Sequence, residues 1–275
     1  CTLCASPRRD EIDAALVEGR DSFRNIAERF GTSAQTVLRH RAHVPERLAL
    51  ARRDAEVKSA VGCHAAPYFA KHGLLNERFV GAHGVQLDEG EMNLVRDGNA
   101  ALVHCPGSNL KLGSGIADVA TWREKGIRCG LGSDGAPCNN RLDTFFEMGL
   151  AGGLSRVRRR EAPMSAKDVL SLATIDGARA LGIDDVTGSL EVGKQADLAV
   201  TDIDGPYAAP FAVEDPYTAL VFGACQRDVL LTVVAGRVLY ERESWPGIDP
   251  NQVNFDARYE GHQLLRRAEA SGMLG

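Results

Sequence analysis

The chain has 275 residues, 44% of them hydrophobic and 25% charged, with a net charge of −5 at pH 7. This is the composition of a soluble globular protein with room for one large or two ordinary domains. It excludes a helical membrane protein, because no apolar run approaches the ~20 residues that a bilayer requires.

The charge is uneven. Residues 1–53 hold ten Lys/Arg against seven Asp/Glu, a local +3 that leaves −8 for the remainder. A basic head on an acidic body suggests two modules with different partners. No basic segment precedes an apolar one at Cys1, so no signal peptide is expected, and the N-terminus reads as trimmed or incomplete. Seven cysteines at 1, 4, 63, 105, 129, 138 and 225 are an odd number, several inside expected strands. They read as reduced cytoplasmic thiols rather than a disulfide framework.

Residues 1–47 carry three helical stretches. Asp10 to Glu18 places Ile12, Ala15 and Leu16 on one face and stops at Gly19. Ser22 can cap a second helix to Phe30, with Phe23, Ile26, Ala27 and Phe30 as its stripe. After the Gly31-Thr32-Ser33 turn, Ala34 to His43 forms a third, with Val37 and Leu38 inward. This is a helix-turn-helix pattern, and the segment 25–38 resembles the DNA-binding heads of small bacterial regulators. Gln35, Thr36, Arg39 and Arg41 are then the candidate DNA contacts within 22–43, beside the reading of a helical bundle that binds protein or nothing. Cys1, Cys4, His40 and His43 are either one tetrahedral zinc site or free thiols with two phosphate-facing histidines.

Val44-Pro45 stops the third helix, and residues 46–59 are helical in pattern. From residue 53 short apolar runs alternate with helices, which implies parallel βα units. Strands are expected at 78–83, 100–105 and 127–132, and helices at 89–97 and 116–125. Each strand ends in polar groups: His83, His104 with Cys105, and Asp134. An apolar strand that ends in Gly132-Ser133-Asp134-Gly135 and leads into a helix puts a carboxylate on the carboxyl rim of a parallel sheet. A plain Asp-Gly turn is the other account of that tripeptide.

Val80 to His83, His104 to Gly115, Leu131 to Asp143, Ala173 to Gly182 and Gly188 to Leu198 resemble the amidohydrolase superfamily. The similar branch is the metal-dependent aminohydrolases that deaminate methylthioadenosine and S-adenosylhomocysteine, or dechlorinate and deaminate triazines. The resemblance implies an α/β fold: a (β/α)8 barrel with one divalent metal, zinc or iron, at its rim, flanked by a small β-sandwich. It implies that Asp134 binds the metal and takes a proton from the activated water, and that His83 polarises the substrate. His104 and Asn109 are expected to support these two, and Asn139 and Asn140 to shape the loop after Asp134.

The family's first strand carries H-x-H, and none occurs here; its fifth strand supplies a His and, three residues later, a Glu, and if residues 47–50 take that place they offer Arg47 and Leu50 instead. Three barrel strands are therefore expected, with impaired turnover of a small purine-like or triazine heterocycle. The alternative is a DNA-binding regulator with a catalytically dead body. An open barrel edge favours a homo-oligomer. The expected division is a helical module at 1–47, a partial barrel at 53–184 and a C-terminal β domain with a terminal helix at 185–275. Within it, a helix opens at a capping box, Ser165 to Asp168, and runs to Leu181. Strands are expected at 196–201, 228–234 and 237–240 with a hairpin turn at Ala235-Gly236, and a helix from Phe255 to Ala270.

Overall fold

The computed structural model describes residues 3, 6–18, 23–41, 64–204 and 214–272. Two compact units divide the chain, Cys1–Gly182 and Ile183–Gly275.

The first unit opens with α1 (Arg9–Glu18), α2 (Phe23–Arg29) and α3 (Ala34–Arg41). Ile12, Ala15 and Leu16, spaced for one helix face, meet Ile26, Ala27 and Val37 in a small core against which Phe30 packs. Gly31, at φ +65°, makes the α2–α3 turn, a conformation open to glycine. Ser33 then caps α3, its hydroxyl accepting from Thr36 N at 3.2 Å. The helical pattern at 46–59 lies outside the described residues.

The chain continues through α4 (Ala65–Lys71), β1 (Val80–Ala82), α5 (Glu89–Asp97) and β2 (Ala101–His104). Then come α6 (Pro106–Lys111), α7 (Val119–Glu124), β3 (Arg128–Leu131), α8 (Thr144–Arg158), α9 (Ala166–Leu172) and α10 (Ile175–Leu181). The three strands are parallel in the order β1-β2-β3, with Val80 opposite Ala101 and Ala101 opposite Arg128. The central strand β2 is almost wholly buried, as a parallel strand covered on both faces must be. At the amino-terminal end, the Arg128 guanidinium seals the sheet by donating to the carbonyls of Glu77 at 2.7 Å and Arg179 at 2.9 Å.

Residues 165–181 form two helices, not the single one expected. The break at Ala173-Thr174 has a packing cause. A side chain on Gly130 of β3 would sit 3.0 Å from the Gly177 backbone, so α10 lies directly on the strand. Leu172 stays fully buried at the end of α9, and Thr174 leaves helical backbone at φ −129° and ψ −106° before α10 begins. Arg123 ties the corner by pairing with Asp168 of α9 and Asp176 of α10.

The second unit holds an antiparallel sheet of β4 (Leu198–Thr201), β5 (Val229–Val234) and β6 (Arg237–Glu241), in that order. Ala235 and Gly236 both have positive φ, the signature of a two-residue hairpin turn. The Asp197 carboxylate accepts from Ala235 N at 2.6 Å and fixes that turn. The terminal helix α11 (Pro250–Ala270) begins earlier than residue 255, because Asp249 caps it and Pro250 suits its first turn. Short helical segments at Pro216–Thr218 and Ala219–Gly223 were not foreseen. Among the described residues, no helix is long and apolar enough to cross a membrane.

Candidate active site

Because β1, β2 and β3 run parallel, their carboxyl ends share one rim. His83 follows β1 directly, and its backbone N–H still donates to Val103 O at 2.8 Å. Asp134 stands just beyond β3. Both have positive φ, 72° and 66°. Residues with a Cβ avoid that region, at a cost on the order of 1–3 kcal/mol each, unless the surroundings enforce it. Their side chains converge, with His83 Nε2 3.7 Å from Asp134 Oδ2.

Helix α6 fastens both side chains. Ser108 Oγ donates to Asp134 Oδ2 at 2.6 Å, and Asn109 Oδ1 lies 2.8 Å from His83 Nδ1. An amide oxygen only accepts, so Nδ1 carries the proton of this hydrogen bond, and Nε2 is the ring nitrogen that faces Asp134. The second carboxylate oxygen of Asp134 accepts from Gly135 N at 2.7 Å. The Ser108 hydroxyl and then the Gly135 amide hold the Asp134 carboxyl below the usual carboxylate range. Asp134 is thus ionised at neutral pH, and both side chains stay open to solvent.

The loop after Asp134 is tied to α6 and α8. Asn139 accepts from Arg141 N at 3.1 Å and Leu142 N at 3.3 Å, and donates to the buried Glu147 at 2.7 Å. Lys111 Nζ donates to Pro137 O and to Asn140 Oδ1, each at 2.7 Å.

His104 does not join the rim. It is 2% exposed, meets Trp122 edge-on at 6.4 Å, and lines a small cavity with Asp118, Ser155 and Met164. Successive strand residues face opposite sides, and His104 falls on the side that the helices cover. Burial, with a smaller push from His83, brings its pKa down to about 4, so it is neutral. Burial likewise pushes the Cys105 thiol up to about 11.

Ser108 and Glu147 escaped the sequence reading. Ser108 lies between residues already singled out. The signal for Glu147 was an acid on the inward stripe of a helix, flanked by Phe146 and Met148.

Of the helical head's candidates, Gln35 is exposed and Thr36 half-buried, with its hydroxyl 2.8 Å from Ser33 Oγ. Cys1, Cys4 and His43 lie outside the described residues, as do the side chains of Arg39, His40 and Arg41.

The parallel sheet thus brings an aspartate and a histidine together on its carboxyl rim, where barrel and open α/β folds keep their sites. The chain belongs to the amidohydrolase family, whose model matches residues 36–239. It is 37% identical over 274 residues to the 5-methylthioadenosine/S-adenosylhomocysteine deaminase of Halobacterium salinarum, covering 96% of this chain and 62% of that protein. It is 38% identical over 199 residues to the 5'-deoxyadenosine deaminase of Methanosarcina acetivorans, covering 72% of this chain and 45% of that one.

Among solved structures, an adenosine deaminase from Xanthomonas campestris with bound zinc superposes at a TM-score of 0.74 and 31% identity, over 78% of this chain and 48% of that one. Atrazine chlorohydrolase from Arthrobacter aurescens TC1, complexed with zinc, gives 0.69 and 27%, over 75% and 46%. The chain therefore spans about half the length of most of these proteins. Among the described residues, no group of three or more His, Cys, Asp or Glu is placed to hold a metal ion. Asp134 and His83 bring two donors where a protein zinc site uses three or four. The described residues do not fit zinc by themselves.

Proposed function

We propose that this chain carries the proton-handling part of a hydrolytic deaminase site for an adenosine-like heterocycle. The observation that carries the proposal is the convergence of His83 and Asp134, both in strained backbone on one sheet rim. In this reading β1–β3 are the last three strands of a (β/α)8 barrel, and β4–β6 belong to a small β-sandwich. Water adds to the ring carbon that bears the amino group, and ammonia leaves. Asp134 takes the proton of the attacking water and returns it to the departing amine. His83, with Nδ1 held by Asn109, presents Nε2 to polarise the ring. In the family's layout Asp134 also binds a divalent ion. With two donors converging among the described residues and no H-x-H in the sequence, slow turnover is expected.

The test is ammonia release from 5'-methylthioadenosine, S-adenosylhomocysteine, 5'-deoxyadenosine and a chlorotriazine, beside elemental analysis of the purified chain. Slow release from the nucleosides, exceeding that from the triazine, is expected. No ammonia from any of the four, by a chain whose circular dichroism shows it folded, overturns the proposal.

A second reading rests on the Gly31 turn between α2 and α3 and the exposed Gln35 in the first turn of α3. It gives the head a DNA-binding role. Fluorescence anisotropy with duplex DNA at low salt tests it: salt-sensitive binding supports the role, and no binding removes it.

A further inference from the structure

Glu147, in the first turn of α8, is 1% exposed and belongs to neither partner of the rim pair. Its Oε2 accepts from Gly107 N at 2.8 Å, and its Oε1 accepts from Asn139 Nδ2 at 2.7 Å. Gly107 is followed by Ser108, which donates to Asp134, and by Asn109, which accepts from His83. Three consecutive residues thus bind a buried carboxylate and the two rim side chains in turn. Asn139 carries the same carboxylate's hold into the loop that follows Asp134.

The backbone makes room for this contact. A side chain at Gly107 would collide with Glu147 Oε1 and lie 2.8 Å from Asn139 Nδ2. Burying a carboxylate is costly, and an apolar side chain fills the same space more cheaply. What a carboxylate adds is the ability to accept two N–H donors from different segments at fixed directions.

We propose that Glu147 is a positioning residue: it clamps the 107–109 segment to the loop after Asp134, and so sets the orientation of both His83 and Asp134. The proposal rests on the deaminase reading for what the rim pair does. Its test needs no turnover, so a chain that released no ammonia would leave the clamp itself open to measurement.

The probe is the tautomer of His83, which Asn109 fixes. Long-range proton–nitrogen spectra of the full chain, labelled with 15N-histidine and assigned with His83→Gln, are recorded at pH 8 for wild type, Glu147→Ala, Glu147→Gln and Ser155→Ala. Ser155 is a control on the same helix, a buried hydroxyl that accepts from Met164 N at 2.9 Å. Wild type is expected to show two well-separated imidazole nitrogens, the pattern of a proton held on Nδ1. Glu147→Ala is expected to collapse them toward their average, and Ser155→Ala to leave them separated. Glu147→Gln keeps one acceptor but turns an amide toward the other donor, so it falls between.

Separation retained in Glu147→Ala overturns the proposal, and so does equal collapse in Ser155→Ala. If Glu147→Ala does not fold, Glu147→Gln decides: a partial collapse supports the clamp, and a wild-type pattern overturns it.

Discussion

Replacing His104 by Leu is expected to flatten the acid limb of the stability curve. In the folded chain burial holds the His104 imidazole neutral, with its pKa lowered to about 4 from the ordinary 6.5. A base whose folded pKa is depressed binds fewer protons folded than unfolded between those two values. Stability from this group is therefore fully present above pH 6.5 and is lost progressively as pH falls toward 4. The full difference of two and a half pKa units corresponds to roughly 3 kcal/mol, of which about 2 kcal/mol is lost between pH 7 and pH 5. The imidazole packs edge-on against Trp122 and its Nδ1 has no hydrogen-bond partner among the described residues, so an apolar replacement forfeits little specific bonding. Urea unfolding of both proteins at half-unit steps from pH 4.5 to 7.5 measures the effect. Wild-type stability should fall more steeply with decreasing pH than the variant's, by up to about 1.4 kcal/mol per pH unit in that window. Parallel slopes would refute the assignment of His104 as a buried neutral base.

Four further outcomes follow from named contacts. Gly107→Ala should lose about 1–3 kcal/mol in chemical denaturation through overpacking against Glu147, and should move the His83 tautomer in the same direction as Glu147→Ala. Asp249→Ala removes the cap of α11 and should cost that helix about 1 kcal/mol, visible as lower ellipticity on mild heating. In alkylation at pH 7.5 mapped by mass spectrometry, exposed Cys225 should react at once. Cys105 and Cys129, buried and with thiols pushed up to about 11, should stay unmodified in the folded chain. Arg123→Ala leaves Asp168 and Asp176 without their shared cation at the α9–α10 corner, and should lower the thermal midpoint more than Arg96→Ala, whose partner Asp97 is an exposed neighbour.

The strands that carry the rim were legible because short apolar runs alternate with capped helices, as at Asp88-Glu91 before α5. Asp134 and His83 stood out as polar residues at the ends of such runs. What the pattern could not carry was direction. His104 ends β2 as plainly as His83 follows β1, yet one faces the helices and the other the rim, a difference set by the pleat and by the positive φ of His83. The break at Ala173-Thr174 was hidden because the capping box at Ser165 opens a helix and no proline interrupts the stretch before Gly182. Contact between Gly130 and Gly177, 47 positions apart, decides otherwise. The start of α11 was readable, since Asp249-Pro250 is a cap followed by a first-turn proline, but the apolar Phe255 drew the boundary inward. Glu147 was obscured for a related reason: its two donors come from segments distant in sequence, and a helix pattern records only that it points inward.

The most direct test of the rim site is ammonia release from 5'-methylthioadenosine by wild type and by Asp134→Asn, at equal zinc and equal folded fraction. Slow wild-type release that falls at least ~100-fold in Asp134→Asn is expected from a carboxylate that handles the transferred proton. Release at the same rate from both proteins, or none from folded wild type, would contradict it.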